Sequence, residues 1–170
     1  MENMIPSDIK IRPISEEDTG LIVKWRNDPR VRDNFIFQEP FTSELHTEWL
    51  REKVKKGLAI QYIICIGKDE QPVGSVYFSH VKKDSAEYGI FIGEDDLKGK
   101  GIGTGAGRLL IKRGFEEFGF DRIYLRVFTD NMPAIKSYEK IGFEIKDTLK
   151  AVECTTGEKR DMYLMEIRKV

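Results

Sequence analysis

The chain has 170 residues, 40% hydrophobic and 34% charged, which suits one compact folded domain over residues 1–170 and argues against disorder. Lys plus Arg total 28 against 29 for Asp plus Glu, a net charge of −1, so the basic excess of a nucleic-acid binder is missing. No apolar run approaches the ~20 residues that span a bilayer, and Cys65 and Cys154 match no metal-ligand spacing, so the chain reads as cytoplasmic, with no nucleic acid, membrane or metal partner.

Ile9, Ile11 and Pro13 to Ile14 read as a first strand. Ser15 is a helix N-cap with Glu16, Glu17 and Asp18 in the first turn; Leu21, Ile22 and Trp25 repeat at helical spacing, and Pro29 ends the helix. A second helix starts at Thr42 or Ser43 and runs to Gly57, with Leu45, Trp49 and Val54 turned inward. Strands follow at Ile60 to Gly67, Val73 to Ser79 and Ser85 to Gly93, the last alternating Ala86, Tyr88, Ile90 and Ile92 against Glu87, Gly89, Phe91 and Gly93. A glycine-rich stretch opens a helix carrying Ile102, Ala106, Leu109, Leu110 and Phe115. Then come a strand at Ile123 to Phe128, a helix at Met132 to Ile141, and closing strands at Phe143 to Ile145 and Met162 to Ile167. The order β-α-α-β-β-β-α-β-α-β-β is a mixed α/β (α+β) class, with helices layered over a twisted sheet.

Residues 98–107 read Lys-Gly-Lys-Gly-Ile-Gly-Thr-Gly-Ala-Gly. A glycine inside a helix costs about 1 kcal/mol relative to alanine, so the clustering needs a cause. Either backbone N–H groups approach a phosphate at a helix N-terminus, or small residues pack against a neighbour. Gly101-Ile-Gly103-Thr-Gly105-Ala106 also satisfies the dinucleotide pattern G-x-G-x-x-A, but that turn belongs after a first strand, with further β-α units behind it. On this pattern alone rests a nicotinamide-dependent oxidoreductase.

Lys98-Gly99-Lys100-Gly101-Ile102-Gly103 resembles the [QR]-x-x-G-x-[GA] signature of the GNAT N-acetyltransferases, with lysine in place of glutamine or arginine. Asn131-Met-Pro-Ala134-Ile-Lys-Ser137-Tyr138-Glu-Lys-Ile-Gly142-Phe143 is similar to that family's N-x-x-A-x-x-x-Y-x-x-x-G-F at every fixed position. The resemblance implies a mostly antiparallel twisted sheet flanked by helices. It also implies acetyl-CoA as cofactor and direct acetyl transfer to a primary amine. Cofactor contacts are then implied at Phe91, Ile92 and Gly93, at Lys98 to Thr104 (Gly99, Lys100, Gly101, Ile102 and Gly103 between), and at Asn131, Ala134, Ser137 and Tyr138. The strand at Asp121 to Phe128 would splay from the one ending at Gly93 and leave a slot.

Within that frame Tyr138 protonates the leaving thiolate, Asn131 lines the arm beside it, and the amide of Ile92 or a neighbour meets the oxyanion. The base is Glu87, which otherwise is a solvated strand carboxylate, or else His46. Trp25-Arg26-Asn27 with Arg30-Val31-Arg32, and Glu44 to Trp49, are similar to bacterial enzymes that acetylate a 4-amino group on nucleotide-linked deoxy sugars of the pseudaminic acid pathway type. Ribosomal-protein-alanine acetyltransferases are a further likeness. Arg26, Arg30 and Arg32 pair with a diphosphate or form surface ion pairs; Trp25 and Trp49 stack on a base or sugar or anchor their helices. The acceptor is a small-molecule amine, with a protein N-terminus, polyamine or antibiotic as alternatives. A homodimer, and a non-catalytic acetyl-CoA sensor, remain open at this point.

Overall fold

The computed structural model describes residues 8–94, 97 and 99–170; Lys98 lies outside them. β1 (Ile9–Pro13) buries Ile9 and Ile11 and exposes Lys10 and Arg12. A 3-10 turn (Glu16–Asp18) then leads into α1 (Thr19–Asn27). The Asp18 carboxylate accepts both arms of the Arg12 guanidinium at 2.8 Å and the Ser15 N–H at 2.9 Å, which locks strand to helix. Pro29 does end α1, and it also begins α2 (Pro29–Arg32), where a missing N–H costs nothing and Asp28 caps the Arg30 N–H.

Thr42 caps α3 (Ser43–Trp49) by accepting the Leu45 N–H, and a π turn (Leu50–Val54) continues it. The expected inward face is corrected. His46 and Leu50 form the buried row, whereas Leu45 is exposed. A polar residue holding a core position hid that row from an apolar count.

β2 (Ile60–Ile66), β3 (Gln71–Ser79) and β4 (Ser85–Ile92) form an antiparallel meander with β1. α4 (Ile102–Glu116), β5 (Arg122–Phe128) and α5 (Met132–Ile141) follow, the last with its expected bounds. β6 (Glu144–Glu153) and β7 (Lys159–Arg168) are longer than expected. β6 is an edge strand exposed at nearly every position, so it carries little apolar alternation to detect. The sheet runs β1-β2-β3-β4-β5-β7-β6, and only β4 and β5 pair in parallel. That excludes a doubly wound dinucleotide fold.

Both faces of the sheet are covered. Leu110 of α4 packs with Phe78, Ile123, Leu125 and Met165 of the sheet on one face, while Ile22 and Trp25 of α1 pack with Ile63, Cys65 and Phe91 on the other. β4 alternates between these cores, with Tyr88 in the first and Phe91 in the second. Among the described residues no helix is long and apolar enough to cross a membrane.

Candidate active site

β4 and β5 pair only at Ser85–Arg122, Ala86–Ile123 and Glu87–Tyr124. Beyond Glu87, β4 stays on β3 as far as Ile92 and β5 stays on β7 as far as Phe128, so the two strands part. The wedge opens into a cavity of about 710 Å³. The Gly93 N–H donates to the Val73 carbonyl at 2.8 Å, toward β3. Because neighbouring residues of a strand turn their backbone groups to opposite sides, the Ile92 and Ile90 amides face the opening. Ile92 and Phe91 line the cavity. Gly93, expected there, sits against the Trp25 ring instead.

The start of α4 lines the cavity. Gly99 (φ 78°) and Gly101 (φ 79°, the N-cap) are both left-handed, a conformation that side chains resist. Gly101 has no side chain to cap the first turn, so among the described residues no side-chain cap occupies its N–H groups. A Cβ on Gly103 would meet nothing nearer than Ile90 Cδ1 at 3.8 Å. Gly105 and Gly107 differ: a Cβ there would come within 2.6 Å of Ile9 Cδ1 and 2.5 Å of Ile141 Cδ1. Close packing thus accounts for the end of the glycine cluster, and left-handed backbone for Gly99 and Gly101 at its start. Ile102 and Thr104 line the cavity, whereas Lys100 is exposed outside it.

α5 forms the opposite wall. Asn131 caps it, its Oδ1 accepting the Ala134 N–H at 3.4 Å while its amide nitrogen donates to Asn34 Oδ1 at 3.4 Å. Ser137 Oγ meets Thr104 Oγ1 at 2.8 Å and ties α5 to α4. The Tyr138 ring packs edge-on to Tyr88 with centroids 6.0 Å apart, and also meets Phe143. Burial pushes the Tyr138 phenol well above its ordinary value, and raises Tyr88 as well. The Tyr88 hydroxyl is buried without a hydrogen-bond partner among the described residues.

Glu87 is no solvated strand carboxylate. It is buried in the wedge, with Arg126 Nε at 2.8 Å from Oε2 and His80 Nδ1 at 3.1 Å from Oε1. Sequence reasoning missed His80 and Arg126; the available signal was that His80 is one of only two histidines.

The expected acceptor residues divide. Arg30 lines the cavity and pairs with Asp28 at 2.7 Å. Arg32 lies outside it, with Nε 4.0 Å from Asp33. Trp25 is a core anchor rather than a stacking platform, 1% exposed and donating to Glu94 at 3.2 Å. Trp49 likewise donates to Gln61, at 2.9 Å. His46 is buried outside the cavity with Nδ1 3.0 Å from Thr19 Oγ1, and burial lowers its pKa, so it is not the base at this site. The Arg26 guanidinium lies between the rings of Phe35 (3.9 Å) and Phe41 (4.5 Å), its Nε buried without a hydrogen-bond partner among the described residues.

A family profile described as an acetyltransferase (GNAT) domain matches residues 8–144. The chain belongs to the GNAT acetyltransferases. It is 30% identical to the acetyltransferase PseH of Campylobacter jejuni over 82% of this chain and 87% of that protein. It is 27% identical to the spermidine N(1)-acetyltransferase of Escherichia coli over 92% of this chain and 84% of the relative. An uncharacterised Methanocaldococcus jannaschii protein is 33% identical over 81% of this chain, which spans 28% of that longer protein. The fold is shared with the spermidine N-acetyltransferase of Vibrio cholerae, solved with CoA and spermine, at TM-score 0.86 and 21% identity over 95% and 96% of the two chains. The GNAT chain is therefore an acetyl-CoA-dependent N-acetyltransferase, which sets aside the sensor and oxidoreductase readings.

Proposed function

We propose that the enzyme acetylates the primary amine of an acceptor that carries an anionic group, a nucleotide-linked amino sugar being the type. The charge of the cavity carries this reading. Beside the lysines on α5, Arg30 and Arg126 line its other side, and Glu87 is the sole carboxylate among its described lining residues. Glu87 is itself held by Arg126 and His80. A polyamine needs spare carboxylates to replace its hydration, whereas a diphosphate needs guanidinium and ammonium groups.

The two sides of the wedge then divide the work. On the α4 and α5 side, the N–H groups from Gly101 to Thr104, with Lys136 and Lys140, receive the phosphates of acetyl-CoA. Its pantetheine arm pairs with the β4 backbone at Phe91 and Ile92, between β4 and the α5 wall of Asn131, Ala134 and Ser137. The Ile92 N–H meets the oxyanion and Tyr138 the sulfur. On the α2 side, Arg30 and Arg126 meet the acceptor, and the buried charge of Arg26 stands behind Tyr77, which it influences. A polyamine acceptor is the second reading, favoured by the likeness to spermidine acetyltransferases.

Calorimetric titration of the acetyl-CoA-saturated protein separates the two. Uridine diphosphate is expected to bind to the saturated enzyme and spermidine not to. Binding of spermidine alone would mean the cations serve only the cofactor.

A further inference from the structure

Glu87 projects from β4 beside the point where β4 and β5 part, and its side chain is 12% exposed. Arg126 donates Nε to Oε2 at 2.8 Å and a terminal nitrogen to Oε1 at 3.4 Å. His80 Nδ1 lies 3.1 Å from Oε1, with Ser79 Oγ 3.4 Å from the same nitrogen. The imidazole is 65% exposed and lines the cavity together with Tyr138. A carboxylate engaged at both oxygens and neutralised by a guanidinium is badly placed to take a proton itself. It is well placed to fix an imidazole: Nδ1–H donates to Oε1, and the Nε2 lone pair is left turned away from Glu87. His80 also has a φ of 49°, and non-glycine residues in this left-handed region gather at functional sites.

The geometry points to His80 as the catalytic base of this acetyltransferase, with Glu87 and Arg126 as its positioning residues. The acceptor's neutral amine attacks the thioester carbonyl and the C–N bond forms. The proton on that nitrogen passes to His80 Nε2 and then to water. The C–S bond breaks with its electron pair on sulfur, and the thiolate takes the Tyr138 proton, which water restores. Besides Arg126, the phenols of Tyr77 and Tyr124 are the titratable groups that feel the Glu87 charge. The other histidine, His46, is buried in contact with Thr19, so variants at His80 report on His80 alone.

The assignment rests on acetyl transfer but not on which amine is the acceptor. The test is steady-state thiol release from acetyl-CoA with a uridine-diphosphate-linked 4-amino sugar and, separately, with spermidine. Each is run with and without imidazole in the buffer. His80→Ala is expected to lower kcat about 100-fold, the scale of a lost general base, while KM for acetyl-CoA stays within about twofold. Added imidazole restores a measurable part of the rate, which a structural role would not allow. Glu87→Gln is expected to lower kcat about 10-fold with no rescue, because its imidazole is present but misdirected. Full turnover in His80→Ala, or a loss that imidazole does not restore, overturns the assignment. Wild-type turnover with spermidine alone would remove the anionic-acceptor reading instead, and the imidazole rescue is then read on that amine.

Discussion

Tyr138 sits among aromatic rings, and burial holds its proton far past the pH at which a free phenol loses it. That makes it a weaker acid toward a thiolate of parent pKa ~8.5, so the proposed acid role requires the same burial to raise the thiol as the C–S bond breaks. Tyr138→Phe is expected to lower kcat about 100-fold and leave acetyl-CoA affinity within about twofold. Stopped-flow thiol release and calorimetry measure the two; an unchanged kcat removes the acid role. Tyr77, Tyr88 and Tyr138 all have raised phenol pKa values. The folded chain therefore keeps protons that the unfolded chain releases above ~10, so stability is full below that pH and falls as pH rises through it. Tyr88→Phe removes one such group and an unpartnered hydroxyl. Its Tm should fall less than that of the wild type between about pH 9 and about pH 11. An equal fall contradicts this. Tyr138 was legible from the sequence because it belongs to a motif fixed by spacing along one helix. The Glu87 cluster was not, since Arg126 lies 39 positions away and meets Glu87 only because β4 and β5 are neighbours.

At the scale of elements, α4 shows how one composition serves two ends. A Cβ on Gly103 meets only Ile90 Cδ1, at an ordinary 3.8 Å, among the described residues, so Gly103→Val is expected to leave Tm nearly unchanged and to abolish acetyl-CoA binding by filling the approach to the backbone. Gly107→Ala drives a Cβ against Ile141 and the Tyr88 hydroxyl, and overpacking of this kind costs about 1–3 kcal/mol. Thermal melts and a calorimetric titration on both variants check the pair; a destabilised Gly103→Val would mean that this glycine packs instead. The join of β1 to α1 depends on Asp18, whose carboxyl is held below its usual range first by the Arg12 hydrogen bonds. That contribution is present above the unfolded carboxyl value of ~3.9 and is lost as pH falls through the lower folded one. Asp18→Asn is expected to cost about 1–2 kcal/mol by urea unfolding at neutral pH, and less below about pH 4. Helices and strands with one apolar face, α5 and β4 among them, were legible by period. α2 and β6 were not: one is a single turn restarted by Pro29, and the other shows water on nearly all its side chains.

For the whole molecule, the decisive feature is where the sheet stops being continuous. β4 and β5 share a short parallel ladder, then part, and the opening joins the α4 and α5 face to the face that carries α2. Glu87, His80 and Tyr138 line this one cavity, where the proposed function has cofactor and acceptor meet from its two sides. The motif-bearing half of this arrangement was readable in advance, since the glycine-rich turn and α5 are contiguous stretches of chain. The acceptor half is assembled from residues of α2, β3, β4 and β5. Accordingly Arg30 was anticipated among the cavity-lining residues and His80 was not, and Trp25 and His46 proved to be core. The most direct measurement is thiol release from acetyl-CoA with a nucleotide-linked amino sugar and with spermidine at matched concentrations. A kcat/KM at least ~100-fold higher for the sugar, a difference of about 2.7 kcal/mol, is the expected result for a cavity built of cations. Preference for spermidine would contradict it.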